Sequence, residues 1–429
     1  MIPAAAAASD RQALAPRPLA ILAGIVGLSA LLSVALMLAP AHAAADVTHY
    51  KYWARLVTDQ GISGAYSGTY PETAAIYPPV TMYGYWLAGH LYLHVGDPEF
   101  EMDRALGSRA LTILVKLVAV VPHLVGVAAI YLLVAGKFGQ RSALLWAAAY
   151  GLNPAALFDF AYWGQPDGVH AMFLAAGVWG LGVRRPYLAW ASIGLALATK
   201  PQAWSLLPLL LGMSYLCLGI RGTLKGWLAA GAAVLVVCLP FLVYGTVPQL
   251  FTLPGLIAQT MPVASANAHN VWWLVTRGEP GFVYDSELVY GPLTFRQLAG
   301  LFALAILALA FRQLWELPRR FDPQRLFGIA AFTAFGWFLV TTRAHENHSF
   351  FVLPLLALAG VQDRFWGIRY WCVTLTLLLN MLMHDFSLQP IRDELFSPET
   401  WTRLQLANSG INVGLALEMA KRLWSGEGD

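Results

Sequence analysis

Charge is what this sequence has least of. Only 12% of its 429 residues are Asp, Glu, Lys or Arg, and the net charge is +3. A chain so close to neutral offers no basic surface for nucleic acid, and no nucleic-acid partner is expected. Cysteine is scarce too. Cys217, Cys238 and Cys372 all fall inside apolar runs, where they read as small packed side chains rather than a disulfide framework or a metal set. The HExxH spacing of a zinc hydrolase is missing, so no metal is expected. There is no visible internal repeat. What is there is apolar: 58% hydrophobic residues and a mean hydropathy of +0.57, the composition of an integral membrane protein.

A run of roughly 20 apolar residues crosses a hydrocarbon core. On that rule about eleven spans are expected, near 19–40, 107–135, 142–160, 168–183, 187–199, 202–219, 227–245, 297–315, 326–342, 349–361 and 369–383. Those near 168–199 and 349–361 are short and read as tilted or dipping only partway. The basic residues Arg11 and Arg17, Lys137 and Arg141, Arg184 and Arg185, Arg221 and Lys225, Arg319, Arg320 and Arg325, then Arg364 and Arg369 fall before the first span and in every second loop. That alternation puts the N-terminus in the cytoplasm. The expected layout is all-α and polytopic: a cytoplasmic segment 1–18, one transmembrane domain 19–383 and an extracytoplasmic tail 384–429. The first outer loop, 41–106, is large and carries interfacial helices. Ala41-His42-Ala43 resembles a signal-peptidase site, but the preceding run is longer than a signal core and is read as an uncleaved span. The stretch LQLANSGINVGLALEMAKRLW in the tail reads as an interfacial amphipathic helix in preference to a twelfth span.

The outer loops hold the chemistry. In a helix from Asp46 to Trp53, Asp46, His49, Tyr50 and Trp53 share one face, with a carboxylate, an imidazole and two rings just outside the bilayer. Pro78 and Pro79, after Tyr77, force the end of that loop into an extended run. The bland reading of Asp46 is a helix cap; the sharper one is a general base for a sugar hydroxyl.

Four further clusters lie at outer span ends. Arg343, His345, Glu346 and His348 form RAHENH, denser than an interfacial anchor needs and suited to an anion such as phosphate. Lys200 precedes Pro201, so its ammonium marks a backbone break; snorkelling and phosphate binding both account for it. In WGQPDG, Asp167 reads as an N-cap, while Gln165 and Asp167 beside Trp163 also suit sugar hydroxyls. In NAHNVWW, His269 and Asn270 stand beside Trp272 and Trp273, either an aromatic belt or a sugar platform. Arg109, Lys116 and His123 recur on one helix face. Lys116 lies about 10 Å deeper than Arg109, so it should face a polar cavity or a partner; it reads as a lining residue rather than a catalyst and is counted with the phosphate-binding cations.

Taken in order, D-x3-Y-x2-WA, YPP, NP-x8-WGQ-x-D, KPQA, N-x2-N-x-WW and R-x-HE resemble the GT-C membrane glycosyltransferases. The nearest likeness is to bacterial polyprenyl-phosphate-sugar-dependent enzymes. A more distant one is to dolichyl-phosphate-glucose glucosyltransferases and GPI-type mannosyltransferases. The likeness runs from about residue 46 to about residue 360. It implies an inverting hexosyltransferase acting on the extracytoplasmic face, in a bacterial inner membrane. It also implies a polyprenyl-phosphate sugar donor, a glycolipid or glycan acceptor and no cofactor, in a monomer within the lipid bilayer.

The family's first-loop acid falls on Asp46, and its HE pair on His345 and Glu346. Asn347 and His348 depart from relatives, and WGQPDG replaces a histidine-rich turn. On this reading Asp46 is the base, and Arg343, His345 and Lys200 hold the phosphate. His49 and Glu346 orient them, while Tyr77, Gln165, Asp167, His269 and Asn270 lie near substrate. A transporter or lipid flippase is the competing class; a polymerase or ligase using lipid diphosphates is a third reading.

Overall fold

The computed structural model describes residues 16–39, 44–66, 75–279, 282–317 and 323–425. The described residues are all-α save for one small hairpin, β1 (Leu288–Tyr290) with β2 (Leu293–Thr294). The expected cleavage-site residues 41–43, and the connector carrying Arg319 and Arg320, lie outside the described residues.

Helix α1 (Pro16–Leu38) carries no charge after Arg17, and its only buried residues are Ser29, Ser33 and Met37. This stripe at four-residue spacing, with two small residues in it, lets the backbone approach its neighbour closely. Ser29 donates to Gly151 O at 2.7 Å. Helices α2 (Ala44–Gly64) and α3 (Pro79–Val95) then pack as a pair. They are joined by an aromatic core in which Tyr50 stacks on Tyr85 at 5.0 Å and Trp53 meets Tyr77 edge-on at 5.1 Å.

Two long helices are hinged by glycine. Helix α4 (Arg109–Gly151) breaks at Gly139, whose φ of 82° is a left-handed value that a side chain would strain. Beyond the break the chain doubles back. A methyl on Gly151 would meet Val127, and one on Gly126 would meet Tyr150, so residues a dozen positions either side of the hinge lie together. Helices α5 (Asp167–Gly182) and α6 (Pro186–Leu197) follow. Helix α7 (Leu207–Val237) repeats the device at Gly219, φ 64°, and Ser214 hydrogen-bonds Thr223 across it at 2.9 Å. Lys137 and Arg141 flank the turn at Gly139, and Arg221 and Lys225 follow the one at Gly219.

After α8 (Val247–Gln259) come α9 (Phe295–Glu316), the largely buried α10 (Pro323–Val340), the eight-residue α11 (Val352–Ala359), α12 (Arg364–His384) and α13 (Pro398–Ser425). Among the described residues five helical stretches are long and apolar enough to cross a membrane: α1, α4, Pro201–Val237, α9 and α12. The other expected spans coincide with shorter helices or with one half of a hinged helix. In the tail, helix α13 packs against α9, α10 and α12.

Candidate functional site

The segments around 46, 165, 200 and 345 meet at one end of the helices; Gln165 ties the first three together, and Asn347 joins the fourth through Asp167. The chain enters through the π-helical turn Phe158–Trp163, then Gly164 at φ 78°. A methyl at Gly164 would come within 2.8 Å of the Lys116 stem, so only glycine lets the turn settle there. Gln165 Nε2 then donates to Asp46 Oδ2 at 2.7 Å. Its Oε1 accepts from Tyr50 at 2.8 Å, and at 3.4 Å from both Tyr77 and Lys200. Donors and acceptor both match this amide orientation.

Behind Gln165 lies a buried charge cluster. Lys200 Nζ contacts Asp167 Oδ1 at 2.7 Å, with side chains only 1% and 2% exposed. Asn347 bridges Asp167 Oδ2 at 2.7 Å and Asp159 Oδ1 at 3.1 Å. Burial depresses the Lys200 pKa, but Asp167 outweighs it and holds the ammonium above its ordinary range. Burial also raises the Asp167 carboxyl, and Lys200 offsets that only in part. The segment is pinned to α3, where Val80 N and Thr81 Oγ1 donate to Ala198 O and Thr199 O at 2.9 and 2.8 Å. Asp46 differs from all of these in being exposed. A rigid network of buried groups therefore ends on one accessible carboxylate.

His345 and Glu346 join from the turn after α10. The strand-like segment 263–267 runs beside this turn and accepts Arg343 N on Val263 O at 3.1 Å. His345 and His348 rings meet at 4.9 Å. Burial lowers the His345 pKa, Asp46 works against that and Lys200 adds to it, so the imidazole senses both charges. Glu346 is pushed up to about 8, by burial first and then by Asp46 and Asp385. With 18% of its side chain accessible, it sits at the rim.

Other expected site residues go elsewhere. Arg343 pairs with Asp285 at 2.7 Å, and Asp285 also takes Arg296 at 2.6 Å. Burial would raise the Asp285 pKa, but the two guanidiniums hold it below the usual carboxylate range. Arg343, expected to hold a phosphate near Asp46, has its guanidinium engaged by Asp285. Lys116 donates to Tyr162 O at 2.6 Å under the Gly164 turn. His269 is buried in a separate cluster, with His384 Nε2 at 3.1 Å and Asn408 Nδ2 at 2.8 Å. Asn270 caps the helix Val271–Val275 through Trp272 N and Trp273 N. His49 lies on α2, one turn after Asp46, and is exposed.

Sequence reading missed Asp159, taken as part of an apolar span, and left Asn347 without a role. A lone acid inside an apolar run is the signal that would have found Asp159. It also missed Asp385, which accepts Trp163 Nε1 at 2.6 Å and so braces the turn before Gln165. Among the described residues no three His, Cys, Asp or Glu converge as metal ligands.

No protein-family model matches this chain, and no curated protein matches it at a significant level.

Proposed function

We propose that the protein is an inverting glycosyltransferase of GT-C-like architecture. It would move a sugar from a polyprenyl-phosphate donor to a hydroxyl of a lipid-linked or cell-envelope glycan, at the extracytoplasmic face of a bacterial inner membrane. Beyond the five long apolar helices, the halves of α4 and α7 and the helices α5, α6, α10 and α11 would complete about eleven crossings.

One observation carries this reading. The exposed Asp46 carboxylate is oriented by Gln165, whose oxygen also receives Lys200, while Asn347, two residues from His345, reaches the Lys200 partner Asp167. A lipid phosphate is a competent leaving group at neutral pH, so the reaction needs a base and a cation rather than a strong acid. In the proposed step Asp46 takes the proton of the acceptor hydroxyl. The freed oxygen attacks the anomeric carbon from the face opposite the phosphate, and the carbon–oxygen bond to phosphate breaks. The configuration inverts, and the lipid phosphate departs with the electron pair toward the His345 ring, in the field of the Lys200 ammonium buried behind Gln165. Glu346, kept protonated at neutral pH, adds no second negative charge. Arg343 acts indirectly, by holding the 260–290 loop through Asp285.

The test is transfer from radiolabelled polyprenyl-phosphate glucose, mannose and arabinose in detergent. Release of lipid phosphate together with a glycosylated acceptor supports the reading. A transporter releases no lipid phosphate.

A further inference from the structure

Helix α13 is amphipathic in an inverted sense. Its buried stripe carries Gln405, Asn408, Ser409 and Asn412 before ending in Leu415 and Met419, while Leu404, Ile411 and Leu417 are exposed at 37%, 52% and 66%. In water such a helix would turn over. In hydrocarbon this is the stable orientation, since an amide facing lipid would lose its hydrogen bonds. The buried amides are used. Asn408 contacts His269 Nδ1, Asn412 donates to His269 O at 3.0 Å, and Ser409 donates to Asn270 O.

The two ends of α13 meet opposite ends of the molecule. Near its start, Thr402 lies against Gly278, in the same connection between α8 and α9 as His269 and Asn270. Near its finish, Arg422 reaches Asp363 at 3.3 Å, the residue that caps the start of α12, and Glu418 pairs with Arg369 one turn further on. Arg312, in the last turns of α9, lies 3.4 Å above the Trp424 ring. The helix thus runs parallel to α9 and antiparallel to α12, over about 42 Å for 28 residues. Its exposed face carries no charge between Arg403 and Glu418, a rise of about 22 Å. Long charged stems reaching outward at both ends extend that to the roughly 30 Å of a bilayer core.

We propose that α13 crosses the membrane as a lipid-facing span, so that its C-terminal end lies on the side opposite Asp46. The inward amides explain why its composition hides it: each lowers the mean hydropathy of a helix whose outer face is apolar. The proposal does not depend on the catalytic reading.

The experiment places a single cysteine at either end of the full-length chain, as Glu399→Cys or Ser425→Cys, both exposed positions. Labelling with a membrane-impermeant maleimide is compared in intact and permeabilised cells, with the unsubstituted chain as background. The expected result is opposite sidedness, Glu399→Cys reacting in intact cells and Ser425→Cys only after permeabilisation. Fusing a fluorescent protein that folds only in the cytoplasm after the last residue should then give a fluorescent product. Labelling of both cysteines from the same side overturns the proposal.

Discussion

Gln165 Nε2 lies 2.7 Å from Asp46 Oδ2, across 119 residues of sequence. The same amide's oxygen receives Tyr50, Tyr77 and Lys200, so the position of one exposed carboxylate is set by a side chain that is itself held from three directions.

Removing that amide should cost turnover more than binding. A hydrogen bond to a charged group contributes about 1.5–3 kcal/mol. Gln165→Ala is therefore expected to lower kcat by about tenfold or more while KM for the acceptor stays within about twofold. Steady-state transfer kinetics measure it, and an unchanged kcat would remove Gln165 from the account.

The buried Lys200–Asp167 pair makes a prediction about stability. Deleting one partner leaves an uncompensated charge, at a cost of about 3–5 kcal/mol. Lys200→Met and Asp167→Asn should each lower the thermal midpoint in detergent. The double variant should be less destabilised than the sum of the two, and strict additivity would mean that the pair is not coupled.

Glu346 predicts an alkaline limb. Burial and Asp46 raise its pKa to about 8, so below that pH the group is neutral and above it ionised. Raising the pH through 8 adds a negative charge beside Asp46 and the departing phosphate, and transfer should fall. Glu346→Gln cannot ionise, so its pH profile should stay flat there; a limb that persists in this variant belongs to another group.

Arg343 separates a clamp from a phosphate ligand. As a clamp it acts through Asp285, so Arg343→Ala and Asp285→Ala should produce the same loosening of the 260–290 loop, read by limited proteolysis. The stability cost is on the order of 1 kcal/mol, modest because Arg343 is 21% exposed. If Arg343→Ala alone raises the donor KM and Asp285→Ala does not, Arg343 binds the phosphate directly.

Much of this arrangement is legible in the chain. Apolar runs mark the helices, basic pairs mark the turns at Gly139 and Gly219, and outer polar clusters mark Asp46, Gln165, Asp167, Lys200, His345 and Glu346. Local sequence does not say which acid each cation will meet. Arg343 and Asp285 are 58 residues apart, and nothing near either predicts the other. The orientation of α13 escaped because hydropathy averages around a helix, whereas burial depends on the face. Asp159 escaped because the residues preceding it look like lipid-facing ones.

The most direct measurement is donor cleavage by the purified protein with Asp46 intact and replaced. Wild-type protein should release radiolabelled lipid phosphate from a polyprenyl-phosphate sugar and pass the sugar to an acceptor with inverted configuration. Asp46→Asn should lose about 10²–10⁴-fold of that turnover. No release by the wild type with any sugar donor, or more than about a tenth of its rate in Asp46→Asn, would contradict the account.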